Sequence, residues 1–303
     1  MKHFLDLGDW SSKDLRYLIR LAQQLKLEWQ SGGNRPVLAG KTLGMIFQKP
    51  SLRTRVSFDI GMQHVGGHAI YLGPDEIGLG KRESIADVAR VLSGYTQGIM
   101  ARVFDHAHVT ELARWSSVPV INGLSDSSHP CQAMADILTI VEHFGHTDGL
   151  RLAYIGDGNN VAVSLLQACA HFGIHYQIAS PEGYELPDSV VDGARAINPN
   201  IDIRRLREPA EAAQGADILY TDTWVSMGQE SEAAARQAAF AGYQINAQLL
   251  AQAEKHAIVM HDLPAYRGKE ITDEVADGPQ SVIFAQAENR LHAQKAILVS
   301  LMS

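Results

Sequence analysis

The segment TLGMIFQKPSLRTRVSFDIGM, residues 42–62, joins three patterns in a row. The apolar run Thr42–Phe47 is typical of a buried strand, and Phe58 and Met62 belong to the helical pattern that follows it. Ser51 stands where that helix begins. The segment therefore predicts a strand, a polar loop and a helix, which is the unit from which parallel sheets are built.

The same unit recurs along the chain. Apolar runs that predict buried strands alternate with amphipathic helical stretches, and these runs are 42–47, 68–72, 98–102, 118–123, 150–157, 175–180, 202–206, 216–222 and 257–263. We therefore predict an α/β fold with two doubly wound domains, each a parallel sheet flanked by helices. A helix that ends near Gly145 marks their boundary, and a long helix closes the chain. The expected domains are 1–143 with 284–303, and 144–283.

Composition limits the classes of function. A length of 303 residues suits two domains, and a net charge of -8 opposes binding to nucleic acid or to an anionic membrane. The two cysteines lack metal-ligand spacing and provide no disulfide framework. The opening residues lack a signal-peptide pattern, and no apolar run is long enough to span a bilayer. A cytoplasmic protein is expected.

The first unusual loop is Ser51-Leu52-Arg53-Thr54-Arg55, at the predicted helix start. Free backbone N–H groups and the helix dipole favour an anion there, and an arginine fork matches phosphate oxygens. The alternative is a serine cap beside solvated arginines. The motif indicates either a phosphate site or an ordinary cap.

The segment His129-Pro130-Cys131-Gln132 follows the strand predicted at 118–123. His129 and Gln132 are expected to project together from a helix start, where they can hydrogen-bond a carbonyl oxygen and an amide nitrogen. The alternative is a histidine in a turn before a helix that proline begins.

The segment Gly156-Asp157-Gly158-Asn159-Asn160 invites a dinucleotide-binding interpretation. A dinucleotide fingerprint needs a third glycine, and Val161 stands at that position, so nicotinamide binding is disfavoured. Either the asparagines hydrogen-bond a zwitterionic ligand or one of them only caps the helix.

Three further segments lie in the second half of the chain. Residues 222–228, DTWVSMG, offer a carboxylate and a hydroxyl to an ammonium group, although a capping aspartate with a packed tryptophan is the alternative. In residues 261–264, HDLP, the Leu-Pro pair restricts the backbone and aims the Leu263 carbonyl in a fixed direction. Arg290 lies in the last helix, where a surface position is the alternative.

In this order, the patterns Ser-x-Arg-Thr-Arg, His-Pro-x-Gln, Asp-x-Trp-x-Ser-Met-Gly and His-x-Leu-Pro resemble the aspartate/ornithine carbamoyltransferase family over almost the whole chain. Residues 226–228, Ser-Met-Gly, resemble its ornithine branch. The resemblance implies a carbamoyltransferase that converts carbamoyl phosphate and L-ornithine into L-citrulline and phosphate, in arginine biosynthesis. It implies a first domain for carbamoyl phosphate, a second for ornithine, a homotrimer, no cofactor and no metal.

The resemblance also implies roles for individual residues. Those assigned to carbamoyl phosphate are Ser51, Leu52, Arg53, Thr54, Arg102, His129, Gln132, Leu263 and Arg290. Those assigned to ornithine are Asn160, Asp222, Ser226 and Met227. Among them, Thr54, Arg102 and His129 are expected to stabilise the negative charge that develops on the carbonyl oxygen as the amine attacks.

Two positions depart from the family pattern. Asp262 stands where ornithine carbamoyltransferases usually carry cysteine, and we expect it to orient the δ-amine and accept its proton. The alternative is that Asp262 only ties down its loop. Gly78 stands where a glutamine or histidine often reaches a neighbouring subunit's phosphate, so either Lys81 or Arg82 substitutes for it or the role is absent.

The sequence motifs leave other functions open. One is carbamoyl transfer to another amine, such as an acylated ornithine, putrescine or aspartate. Another is a non-catalytic ligand-binding homologue or a nucleotide-dependent α/β enzyme. The motif at 222–228 favours a free α-amino acid, and the joint presence of the carbamoyl phosphate residues opposes a non-catalytic protein.

Overall fold

The structure, a computed structural model, describes residues 2–80 and 82–303. The chain forms two compact units. The first contains the chain up to Leu138 together with Glu288–Ser303, and the second contains Thr139–Ala287. Both junctions fall within helices, Pro130–Phe144 and Ile283–Met302, so the first unit is assembled from two separated segments.

The first unit is built on a four-stranded parallel sheet in the order β2-β1-β3-β4. Its strands are β1 Thr42–Phe47, β2 His68–Leu72, β3 Gly98–Arg102 and β4 Val120–Leu124. Every residue of β3 is buried, whereas the edge strand β2 exposes His68 and Ile70. Interior strands of a parallel sheet are covered on both faces, which is why they are read from continuous apolar runs.

Helices connect these strands, and most begin at a residue whose side chain caps the first turn. The caps include Ser11, Ser51, Ser84 and Asp105, each of which accepts a backbone N–H. The helices are α1 Ser12–Gln30, α2 Leu52–His64, α3 Pro74–Ile77, α4 Ile85–Tyr95, α5 His106–Trp115 and α6 Pro130–Phe144. Apolar residues of α4 and α5 pack with those of β1, β3 and β4 in a buried cluster.

The second unit is built on a five-stranded parallel sheet in the order β7-β6-β5-β8-β9. Its strands are β5 Arg151–Ile155, β6 His175–Ala179, β7 Ile203–Leu206, β8 Ile218–Thr221 and β9 Ile258–His261. A buried cluster on this sheet includes Ile155, Leu219, Val259 and Ile283. The edge strand β7 contains no fully buried residue.

The helices of the second unit include several short ones. They are α7 Asn160–Phe172, α8 Asp188–Ile197, α9 Pro209–Ala213, α10 Ala233–Ala239, α11 Ala247–Leu250 and α12 Asp273–Ala276, and α13 Ile283–Met302 closes the chain. Helix α7 is capped by Asn159 and ends at Gly173, whose φ of 73° is the left-handed conformation that a glycine adopts readily.

Strand order places the unusual loops side by side. In the first sheet the strand order switches sides between β1 and β3, and Phe47 of β1 pairs with Arg102 of β3. In the second sheet the strand order switches sides between β5 and β8, and Thr221 of β8 pairs with His261 of β9. Ligands of open parallel sheets bind at the carboxyl ends of the strands beside such switch points. The predicted fold class, with two parallel α/β sheets, is confirmed.

Within the described residues, no helix combines the length and the apolar character that crossing a membrane requires.

Candidate functional site

In the first unit, the Thr54 hydroxyl lies at the centre of a buried polar cluster. Thr54 is completely buried, and its Oγ1 accepts hydrogen bonds from Arg290 Nη2 at 2.9 Å and from Arg102 Nη1 at 3.4 Å. Ser51 Oγ lies 3.1 Å from the same oxygen and accepts the Thr54 N–H, so it caps α2. Side chains from three separate segments, the Ser51–Arg55 loop, β3 and α13, therefore meet at the Thr54 hydroxyl.

The charge of this cluster is strongly positive. Arg102 and Arg290 are 5% and 3% exposed, and Lys49 is 9% exposed. Burial and then the charge of Arg102 lower the pKa of Lys49 to about 8, against an opposing effect of Asp126. Neighbouring buried cations repel one another, and an anion bound among them offsets that repulsion.

His129 is held as a neutral imidazole beside these cations. Burial lowers its pKa well below the usual value, and the positive side chains around it lower it further, namely Arg290, Arg102, Lys49 and Arg53. A neutral imidazole carries one N–H donor and one acceptor nitrogen. His129 can therefore donate a hydrogen bond to a carbonyl oxygen without adding a fifth positive charge.

Gln132 and Cys131 lie on the first turn of α6 but differ in the groups that remain available to a ligand. Gln132 Nε2 donates to Asp136 Oδ1 at 2.8 Å, while its buried Oε1 accepts no hydrogen bond within the described residues. The Cys131 thiol donates to the Asn122 carbonyl at 3.3 Å, and burial raises its pKa to about 12. Gln132 is left with an acceptor for an amide N–H, whereas Cys131 stays a thiol and does not serve as a nucleophile.

The two arginines of the Ser51–Arg55 loop also differ. Arg55 is exposed and stacks on the Tyr71 ring, with Cζ 4.1 Å from the ring centroid. Arg53 is partly buried, and its charge acts on His129. Leu52 is 75% exposed, so its backbone N–H, rather than its side chain, is the group that suits an anion at the start of α2.

In the second unit, Asp222 and Asp262 form a carboxyl pair. They immediately follow the paired residues Thr221 and His261, so the sheet register places them side by side. Burial raises the pKa of Asp222 well above its usual range, and the charge and hydrogen bond of Asp262 raise it further. The pair therefore favours a bound proton over two neighbouring negative charges, and an ammonium group can take the place of that proton.

His261 supports this pair and the backbone that follows it. Burial acts to lower the pKa of His261, while the neighbouring carboxyl groups of Asp262 and Glu270 act to raise it. The Leu263 N–H disfavours protonation of the ring, because it donates to Nδ1 at 2.9 Å and that nitrogen can accept only when it carries no proton. We assign the neutral ring with its proton on Nε2, 3.2 Å from Glu270 Oε1, since Nδ1 and Asp262 Oδ1 are 3.5 Å apart.

The loop after β9 has an unusual backbone. Leu263 adopts a φ of 61°, in the left-handed region, and the Leu263–Pro264 bond is cis. The hydrogen bond from its N–H to His261 holds Leu263 in this conformation. The restricted Leu-Pro backbone expected from the sequence is present, while a role for the Leu263 carbonyl stays a prediction.

Asn159 makes a hydrogen bond to the carboxyl pair. Its Nδ2 donates to Asp222 Oδ2 at 2.8 Å, while its Oδ1 caps α7 by accepting the Val161 and Ala162 N–H groups. Asn160 is the first residue of α7. One asparagine therefore serves both the cap, which was one of the alternatives from the sequence, and the carboxylate, a bond that the sequence did not predict.

The glycines of this loop have a packing role. A Cβ on Gly158 would lie 2.6 Å from Leu186 N and 2.7 Å from the Glu185 carbonyl carbon. The backbone of the neighbouring loop therefore requires glycine at this position. This close approach explains the glycine without a dinucleotide.

The loop after β8 contains Ser226 and Met227, and its own side chains stabilise it. The Ser226 N–H donates to Gln229 Oε1 at 3.0 Å, and the Gly228 N–H donates to both Glu230 oxygens at 3.1 and 3.0 Å. Met227 is 48% exposed. A partly exposed loop of this kind can adjust to a ligand at small cost.

Three side chains have ligand atoms close enough to hold a metal ion. Those of Asp222, His261 and Asp262 all lie within 4.8 Å of one another. Both ring nitrogens of His261 already have partners, however, in the Leu263 N–H and Glu270. The two carboxyl groups therefore suit an ammonium ligand better than the three residues suit a metal.

Family comparison agrees with this geometry. The model of the aspartate/ornithine carbamoyltransferase carbamoyl-P binding domain matches residues 2–142, and the model of the Asp/Orn binding domain matches residues 148–301. The chain belongs to the aspartate/ornithine carbamoyltransferase family. The family predicted from the sequence motifs is confirmed.

Relatives of this carbamoyltransferase align over nearly their full length. Ornithine carbamoyltransferase from Anoxybacillus flavithermus is 52% identical over 303 residues, covering 99% of this chain and 96% of that protein. An anabolic ornithine carbamoyltransferase from Pyrococcus furiosus is 48% identical, with 99% and 96% covered. The solved ornithine carbamoyltransferase from Pyrococcus furiosus has a TM-score of 0.97 at 48% identity, covering 99% of this chain and 97% of that chain. The predicted enzyme class, a carbamoyltransferase, is thereby confirmed.

Several polar groups of this carbamoyltransferase were not predicted from the sequence. Lys49 lies between β1 and α2, where its position beside the arginine loop was a usable signal. Asp157 forms a buried ion pair with Arg236, which lies in an alanine-rich helix without any motif. Gly78 has a φ of 50° and ends α3, and its carbonyl accepts the Arg82 N–H at 2.9 Å. Lys81, the other suggested substitute, lies outside the described residues.

Two glycine variants of this carbamoyltransferase test the close approach at Gly158. Gly158→Ala forces backbone atoms apart and should destabilise the fold by about 1–3 kcal/mol. Gly193→Ala is the control, because the added Cβ meets nothing within 4 Å. That variant lies inside α8 and should stabilise the fold by about 0.5–1 kcal/mol. Urea unfolding followed by circular dichroism measures both; equal shifts for the two variants would contradict the packing role.

Proposed function

We propose that the chain transfers the carbamoyl group of carbamoyl phosphate to the δ-amine of L-ornithine, forming L-citrulline and phosphate. The observation that carries this proposal is the convergence of Arg102 and Arg290 on the buried Thr54 hydroxyl, beside Ser51 at a helix start. Guanidinium groups, hydroxyls and free backbone N–H groups together suit a phosphate dianion. The names of the relatives support the same reaction.

Carbamoyl phosphate is proposed to bind with its phosphate among Ser51, Arg53, Thr54 and the Leu52 N–H. Arg102 and Arg290 neutralise the charge on the leaving phosphate. Their burial strengthens this effect, because an electrostatic interaction is larger in a low-dielectric environment. Most of the phosphate affinity is therefore assigned to groups that are already in place before the substrate arrives.

The carbonyl oxygen gains negative charge when the amine attacks the carbamoyl carbon. Thr54, Arg102 and the neutral His129 are the proposed donors to this oxygen. The carbamoyl NH2 group is proposed to donate to Gln132 Oε1, which accepts no other hydrogen bond within the described residues. No covalent intermediate with the protein is needed, so catalysis depends on orientation and charge stabilisation.

The amine must lose its proton before it can attack. A free alkyl ammonium has a pKa near 10.4, so nearly all of it is protonated at neutral pH. Asp222 and Asp262 are proposed to bind it, and Asp262 is proposed to accept its proton. The raised pKa of the Asp222 carboxyl, caused by burial and then by Asp262, favours proton uptake by this pair near neutral pH.

The remaining groups of ornithine are assigned to the loops around the carboxyl pair. Asn160, Ser226 and the Met227 N–H are the proposed ligands of the α-amino and α-carboxylate groups. The adaptable hydrogen bonds of the loop after β8 support this assignment. A contribution of the Leu263 carbonyl to carbamoyl binding stays a prediction.

The biological setting is also proposed. A role in arginine biosynthesis is supported by the anabolic relative. A homotrimer is proposed, and the apolar side chains that the first unit exposes on α2 and α4 offer a surface for a subunit contact, namely Leu52, Val56, Val91 and Tyr95. A cytoplasmic location is proposed as well, and the two free cysteines fit a reducing compartment.

A panel of amines tests the acceptor directly. The wild-type chain is assayed with carbamoyl phosphate and, in turn, L-ornithine, an N-acylated ornithine, putrescine and L-aspartate, and ureido product is measured. L-ornithine should give the highest kcat/KM, because its free α-amino group matches the assigned ligands. Preference for any other amine would contradict the proposed acceptor, and no product with any of them would contradict carbamoyl transfer.

A conservative substitution tests Asp262 as the proton acceptor. Asp262→Asn keeps the side-chain shape but removes the base, so kcat with ornithine should fall by about 100-fold or more. The rise of kcat/KM with pH should also lose the step that belongs to the carboxyl pair. Asp192→Asn, at an exposed position of α8, is the matched control. An unchanged rate and pH profile for Asp262→Asn would leave only a structural role.

A further inference from the structure

Arg236 is a buried charge that the proposed reaction does not use. It lies on α10, whose sequence is otherwise alanine with one glutamine. Its side chain is 8% exposed, and Nη1 lies 2.7 Å from Oδ2 of Asp157, which is 13% exposed. Nε lies 3.0 Å from Glu232 Oε2. Burying an ion pair costs desolvation energy, and retaining one on a helix that alanine could complete indicates a specific role.

The guanidinium joins two loops that carry proposed ornithine ligands. Besides its ion pair with Asp157 in the loop after β5, Arg236 Nη1 donates to the Trp224 carbonyl in the loop after β8 at 3.3 Å. Asn160 follows Asp157 by three residues, and Ser226 follows Trp224 by two. The Arg236 side chain therefore links the loop that leads to Asn160 with the loop that contains Ser226, which both carry proposed ornithine ligands.

Aromatic rings fix the guanidinium in this place. Arg236 Cζ lies 5.0 Å from the centroid of Tyr184, whose ring meets Phe240 edge-on at 4.9 Å. Trp224 stacks on the same Phe240 with a centroid distance of 5.9 Å. The Tyr184 carbonyl also accepts the Gly158 N–H at 2.8 Å. The loops after β5, β6 and β8 are thus tied together around one cation.

We propose that Arg236 and Asp157 are positioning residues for the amino-acid substrate, and that their ion pair sets the spacing between Asn160 and the Ser226–Met227 backbone. This inference rests on the proposed ornithine site. Neither residue is assigned a contact with ornithine or with the reacting atoms. Loss of the pair should therefore weaken ornithine binding while leaving the chemical step and carbamoyl phosphate binding near their wild-type values.

The test compares Arg236→Gln and Asp157→Asn with the wild-type chain. Each variant should raise KM for ornithine about 10- to 100-fold, because a small displacement of a ligand group is costly. The Kd for carbamoyl phosphate, measured by calorimetry, and kcat at saturating ornithine should change little. Arg204→Gln is the matched control, because Arg204 pairs with Glu211 at 2.7 Å on an exposed surface of the same unit. The Arg204→Gln variant should keep the wild-type KM for ornithine, Kd for carbamoyl phosphate and kcat.

Further measurements separate positioning from a general loss of structure. In the double variant, KM should rise no further than in either single variant, since the pair is broken only once. Arg236→Lys keeps the positive charge but not the planar guanidinium with its several N–H donors. Its affinity for ornithine should lie between those of Arg236→Gln and the wild-type chain. If KM, kcat, the carbamoyl phosphate Kd and the melting temperature all worsen together in the isosteric Asp157→Asn, the positioning role is refuted in favour of a purely structural one.

The outcomes also separate this inference from the proposed function. A wild-type chain that forms no citrulline contradicts the proposed function itself. A wild-type KM for ornithine that neither Arg236→Gln nor Asp157→Asn changes contradicts only the positioning role.

Discussion

The burial of positive charge around the Thr54 hydroxyl is the constraint on which the first unit depends. Arg102 ends β3, Arg290 lies on the last helix, and both donate to one oxygen at the start of α2. Burying guanidinium groups costs free energy that internal hydrogen bonds offset only in part. In the proposed function an anionic substrate supplies the remaining stabilisation, and the arrangement that is costly in the unliganded protein is the one proposed to bind phosphate.

Most of the fold could be predicted because interior strands of parallel sheets are buried on both faces. Their residues read as continuous apolar runs, as in β1, β3 and β5. Boundaries were less predictable: the run at 118–123 becomes a strand only from Val120, since Pro119 has no N–H to donate. The short helices α3, α9, α11 and α12 were not predicted, because four or five residues contain too little periodicity.

Likewise, only those contacts of the site that follow from neighbouring strands could be predicted from the sequence. Loops that follow neighbouring strands could be predicted to meet, and the register of β8 and β9 does place Asp222 beside Asp262. Contacts that depend on side-chain direction could not be predicted, such as Asn159 reaching Asp222. The pair of Asp157 and Arg236 joins residues 79 positions apart, and nothing in the alanine-rich α10 indicates it.

Calorimetric titration with carbamoyl phosphate tests whether the Thr54 hydroxyl organises a phosphate site, as proposed. Thr54→Val keeps the side-chain shape but leaves Arg102 and Arg290 without their shared acceptor. The Kd should rise about 10- to 100-fold, as expected for loss of hydrogen bonds to charged groups. Thr110→Val, whose hydroxyl donates only to the His106 carbonyl on α5, should bind like wild type. Equal affinity of Thr54→Val and wild type would contradict the account.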